Sequence, residues 1–141
     1  MASLHDRHLA LVSFSGLRVR EQELLEIGIT LPGLEKRKAA VAALPALGLL
    51  TLAGRMPAGW TCSYHEVDKW DQSIADQIAA EGPTLVAVSA LTASIREAYG
   101  FCDALRSRRI STAIGGLHVT ACPSEALRHA DAVVVGDGEA I

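Results

Sequence analysis

The stretch STAIGGLHVTACPSEALRHADAVVVGDGEA, Ser111 to Ala140, decides how this chain folds. Two short apolar runs, STAIGG and AVVVGDG, stop at glycines, and their polar residues cluster just beyond those stops. Between them Pro123 suits the first turn of a helix over SEALRHA, because proline has the right φ and its missing N–H is not needed there. Strand, crossover helix and strand in succession imply parallel pairing, since the helix returns the chain to the edge from which it set out.

Working outward, the same alternation recurs. LALVSFSG (Leu9 to Gly16) is an apolar run ending in small residues and is predicted as the first strand; TCSYHEVD (Thr61 to Asp68) alternates and is predicted as the second. TLVAVSAL (Thr84 to Leu91) is continuously apolar, as a central strand buried on both faces should be. ALGLLTLAGRM reads as a helix. Asp71 caps a helix that buries Ile74 and Ile78, with Gly82-Pro83 ending it. Ser94 and Glu97 have capping-box spacing, and Ile95, Ala98, Cys102 and Leu105 then share one helical face. The expected fold is α/β: a doubly wound, five-stranded parallel sheet of flavodoxin-like or Rossmann-like order 2-1-3-4-5. Residues 1–141 are expected to form a single domain, elaborated by a charged segment at about 18–45.

Composition narrows the function. The chain has 141 residues, 50% of them hydrophobic, enough for a sizeable core, while aromatics make up only 4% and leave Ala, Val, Leu and Ile to build it. A formal charge of -3 with mixed signs gives no footprint for nucleic acid. The N-terminal run carries charges unlike a signal peptide, and AALPALGLLTLAG is too short to span a bilayer, so a cytoplasmic protein without membrane or nucleic-acid partners is expected. Cys62, Cys102 and Cys122 are widely spaced and are expected to be reduced, mostly buried thiols, with no metal site.

Ligands of open α/β sheets bind outside the carboxyl ends of the strands. Those ends read Ser13-Phe14-Ser15-Gly16, Ser89-Ala90-Leu91-Thr92, Gly115-Gly116-Leu117-His118 and Gly136-Asp137-Gly138-Glu139. Missing side chains let a broad ligand lie against bare backbone. Ser13 to Gly16 faintly suggests a flavin phosphate loop but lacks a Ser/Thr-rich continuation, and Gly136 to Glu139 follows the last strand, unlike a dinucleotide loop. A phospho-acceptor receiver would need aspartate where Ser89 stands.

Ser89-x-Leu91, Gly115-Gly116 and Gly136-Asp137-Gly138-Glu139, together with GGLHVTACPSEAL and LPALGLLTLAGRMP, resemble the cobalamin (B12)-binding domain found at the N-terminus of radical S-adenosylmethionine enzymes. The resemblance covers most of the chain from Leu9 onward and is weakest over Arg18 to Leu44. It implies a corrin lying over the strand ends with its nucleotide tail in the crevice beside the third and fourth strands. Ser89 would hydrogen-bond the tail base, alongside Leu91 and Thr92. Gly115 and Gly116 would leave room for the tail, so Gly116→Trp is expected to block it in a domain that stays folded. Leu117, His118, Val119 and Thr120, with Gly136 and Gly138, would line the cavity.

The Asp-x-His-x-x-Gly motif whose histidine ligates cobalt in the methionine synthase-like and mutase-like domains is missing after the first strand. Asp6-Arg7-His8 precedes the strand and has leucine at position 11 where glycine is required. His65 falls within the second strand, and His118 is expected at a loop with a backbone or solvent partner. Cobalamin is therefore expected to bind without a protein histidine on cobalt. The chain holds no Cys-x-x-x-Cys-x-x-Cys, nucleophile elbow or paired acids, so it is expected to bind rather than catalyse. The resemblance places the 4Fe-4S cluster, S-adenosylmethionine and methyl transfer or related radical chemistry in a barrel domain supplied in cis or in trans, absent from this chain, which is read as a fragment or truncated product. The competing reading is a degenerate Rossmann-like interaction module without corrin, using Arg20 to Lys38 as its contact surface.

Overall fold

The computed structural model describes residues 7–14 and 46–138. Asp6, Ser15-Gly16, the charged elaboration up to Pro45 and Glu139 to Ile141 lie outside the described residues.

Five strands form one sheet: β1 (Arg7–Phe14), β2 (Trp60–Glu66), β3 (Leu85–Ala90), β4 (Thr112–Gly115) and β5 (Ala132–Val133). All neighbours are parallel, and the order is β2-β1-β3-β4-β5, as the alternation of apolar runs and helices predicts. The helices are α1 (Leu47–Gly54), α2 (Gln72–Ala80), α3 (Ile95–Ser107), α4 (Leu117–Ala121) and α5 (Pro123–Ala126), with a 3₁₀ turn at Thr92–Ser94. β5 is shorter than the run AVVVGDG suggests: beyond Val133 the ladder continues by one bond, Val134 N to Ile114 O at 2.9 Å, and then Gly136 turns the chain at φ +79°.

Side-chain alternation divides the sheet. Ala10, Val12, Phe14, Val86, Val88, Ala90 and Ile114 face the main core, where they meet Ala75 and Ile78 of α2 and Ala98, Phe101, Cys102 and Leu105 of α3. Val119 of α4 and Ala126 of α5 close that core. Phe101 sits between Phe14 and Trp70, with ring centroids 5.5 and 6.2 Å away. Each large side chain buried in this way contributes roughly 1.5–3 kcal/mol. The opposite face presents Leu9, Leu85, Ala87, Ser89, Ala113 and Gly115, and α1 lies over it. That face has small residues and one helix among the described residues, and it is where free space remains.

Two local expectations are corrected. Asp71 does cap α2, its Oδ1 accepting from Ile74 N at 2.9 Å, but Ser94 makes no cap bond at α3. Its buried hydroxyl donates instead to Phe14 O at the end of β1, at 2.8 Å, and more weakly to Leu91 O at 3.3 Å. The thiols are not mostly buried: Cys102 is enclosed in the core, whereas Cys62 on edge strand β2 and Cys122 between the two short helices are exposed. Burial pushes the Cys102 thiol up to about 12. Among the described residues no helix is long and apolar enough to cross a membrane.

Candidate functional site

Parallel pairing of β3 with β4 sets Ser89 directly beside Gly115. Adjacent strands lie about 4.8 Å apart, so the serine hydroxyl stands next to a place with no side chain. Gly48, Leu49 and Leu52 of α1 form the facing wall, and Val134, Gly136, Asp137 and Gly138 close the far side. The result is a cavity of about 190 Å³ lined by glycine, alanine and branched aliphatic residues, with Ser89 and Asp137 the only polar residues among the described ones. An apolar groove of about 300 Å³ continues it along the sheet past Leu9, Leu85 and Trp60. Pockets that enclose a whole drug-sized ligand run to roughly 300–1,000 Å³. The cavity at Ser89 therefore suits one ring system inserted edge-on and leaves any larger body outside, over the rim.

The two glycines of Gly115-Gly116 do different things. A Cβ on Gly115 would meet Val134 at an ordinary 3.4 Å, so its absence keeps the cavity open. A Cβ on Gly116 would lie 2.5 Å from Ala90 O, and its φ of +116° is itself unfavourable for other residues. Gly116 lets the chain turn tightly against the end of β3, and the expectation that Gly116→Trp leaves the domain folded is corrected on this ground.

Of the residues singled out from sequence, the cavity brings together Ser89, Gly115, Gly116, Gly136 and Gly138. Leu91 and Thr92 follow β3 on the exposed rim, and Leu117 stands out beside them, 76% exposed. Thr120 braces the far wall, its Oγ1 accepting from Gly136 N at 3.0 Å. Val119 points the other way and is fully buried in the main core. His118 is not at a loop but in α4, with Nδ1 3.3 Å from Thr92 Oγ1 and Nε2 3.4 Å from Glu125 Oε1. The ring of Tyr99 meets that of His118 edge-on and stacks on His129 at 4.4 Å; burial first, then the Glu125 carboxylate, push its hydroxyl up to about 12. His8 and His65 engage Glu81 and Ser63 on β2 and at the end of α2, away from the cavity. Gly48, Leu49, Leu52, Ala87, Val134 and Asp137 were missed from sequence as lining residues, because the wall contributed by α1 is defined only by how that helix crosses the sheet. Among the described residues no group of three or more His, Cys, Asp or Glu is disposed to hold a metal.

The B12 binding domain family matches residues 38–141, from ahead of α1 through β5. This chain belongs to the B12-binding domain family. It is thus a cobalamin-binding domain built on a flavodoxin-like sheet. Among curated proteins it is similar to bacteriochlorophyllide d C-8(2)-methyltransferase of Chlorobaculum tepidum, 33% identical over 95 residues. That match takes in 67% of this chain and spans 20% of the relative's length. No solved structure matches the chain significantly.

Proposed function

We propose that this B12-binding domain holds cobalamin by its nucleotide tail and serves a methyl-transferring enzyme of the radical S-adenosylmethionine class, whose catalytic barrel and 4Fe-4S cluster lie on another domain or chain. The observation that carries the reading is the pairing of Ser89 with Gly115 at the mouth of an apolar cavity. Ser89 is half-buried, and among the described residues its hydroxyl has no hydrogen-bond partner, so it is available to a heterocycle nitrogen. Bare backbone at Gly115 and aliphatic walls at Leu49, Leu52 and Val134 suit the flat faces of a benzimidazole. The residues present therefore fit the tail.

The corrin would cover Leu91 and Leu117, exposed apolar residues beside the cavity, and bring them out of water. Cobalt, when the cofactor is bound, supplies the atom that carries the methyl group. The domain's part is to anchor the tail, orient the ring and exclude water from one face. Cobalt is read as having no histidine ligand from this chain's described residues: His8, His65, His118 and His129 all have side-chain partners, and none lines the cavity. A methyltransferase relative supports the transfer chemistry.

The test is retention of hydroxocobalamin. Purified protein is mixed with it and desalted, and the corrin absorbance that co-elutes is measured. Stoichiometric retention by the wild type is expected; none would return the chain to the reading of a fold that has lost its corrin.

A further inference from the structure

We infer that Asp137 is a specificity residue of the tail cavity, accepting a hydrogen bond from a free ribose hydroxyl of the nucleotide and turning phosphorylated ends away. This rests on the cobalamin reading above. Among the described residues that line the cavity, Asp137 is the one that carries a charge and Ser89 is the only other polar one. It is carried between Gly136 and Gly138 on the turn that leaves β5, and that turn is held by the bond from Gly136 N to Thr120 Oγ1. Among the described residues, none of the hydrogen bonds or ion pairs involves Asp137.

A carboxylate has acceptors and no donor. The ligand group that meets it must bring hydrogens. Among the described residues that line the cavity there is no lysine, arginine or histidine, so an anionic group would approach a negative charge that none of them offsets. The nucleotide tail offers two kinds of polar group near its base: ribose hydroxyls, which donate, and a phosphodiester, which is negative and cannot. Asp137 selects the first and directs the second towards solvent, leaving Ser89 on the opposite wall for the base. Carboxylates read ribose hydroxyls in the same way at dinucleotide sites of other α/β sheets.

The experiment titrates wild type, Asp137→Ala and Asp137→Asn with hydroxocobalamin and with cobinamide, which keeps the corrin and lacks the nucleotide. Asp137 is exposed on a turn, so both variants are expected to fold, as circular dichroism would verify. Asp137→Ala is expected to weaken hydroxocobalamin about tenfold, the order expected for a lost hydrogen bond to a charged group, and to leave cobinamide unchanged. Asp137→Asn, which keeps an acceptor without the charge, should fall between. As competitors, the free dimethylbenzimidazole nucleoside should displace hydroxocobalamin from wild type better than its 5′-phosphate, and Asp137→Asn should narrow that gap. Equal loss for both corrins, or no loss in a wild type that binds hydroxocobalamin, overturns the role of Asp137 alone. A wild type that retains neither corrin overturns the cobalamin reading and this inference with it.

Discussion

At Gly116 an added methyl would lie 2.5 Å from Ala90 O; at Gly115, one residue earlier, the same carbon would meet only Val134 at 3.4 Å. Adjacent glycines identical in sequence thus separate into one that the backbone requires and one that the cavity requires. Gly116→Ala is expected to cost about 3 kcal/mol through strained φ and the collision with β3, measured as a lower urea midpoint. Gly115→Leu should leave that midpoint nearly unchanged while abolishing hydroxocobalamin retention, because the new side chain occupies the place of the ring. A Gly115→Leu protein that still retained corrin would remove the tail from this cavity. The sequence marks both positions as small, but the direction in which each missing Cβ would point depends on torsion and on the neighbouring strand.

Among the elements, α2 and α3 begin with similar local signals and start differently. Asp71 caps the first turn of α2, so Asp71→Ala should cost about 1 kcal/mol and expose the Ile74 amide to faster hydrogen exchange. Ser94 is committed to Phe14 O across the sheet end, so Ser94→Ala should cost on the order of 1–2 kcal/mol and loosen the end of β1 while the first turn of α3 keeps its protection. Rapid exchange confined to α3 in that variant would restore the capping-box reading. Helix faces were legible from spacing alone: Ile95, Ala98, Cys102 and Leu105 are all buried. The cap was not, because the hydroxyl is held by a carbonyl from a distant strand, and only the packed structure brings that carbonyl within reach.

Across the whole molecule, Asp131 ties β4, β5 and α3 together. Its carboxylate accepts from Thr112 N at 2.8 Å, Thr112 Oγ1 at 3.2 Å and Arg106 Nε at 3.0 Å. The Thr112 backbone bond, above all, holds this carboxyl below its ordinary value of 3.8. A carboxyl lowered in the folded state adds stability above its unfolded value and loses that contribution as pH falls through the folded one. Asp131→Asn should therefore lower Tm at neutral pH, with the gap to wild type narrowing as pH falls below the ordinary aspartate value. A gap that stayed constant with pH would mean that the ionised form contributes nothing. Because the side chain is 44% exposed, solvent screening keeps the effect modest.

The order of residues by itself determined the strand succession, the parallel sheet and the family, since apolar period, glycine stops and proline position are local signals that survive without any partner. It also marked Ser89, Gly115 and Gly136 as residues of one edge. Only the tertiary structure decided that Ser89 stands beside Gly115, that α1 walls the cavity, that His118 is held by Thr92 and Glu125, and that Asp137 comes to the cavity's rim. Those are distances between residues far apart in the chain, set by register and by the angle at which a helix crosses a twisted sheet, and no local pattern encodes them.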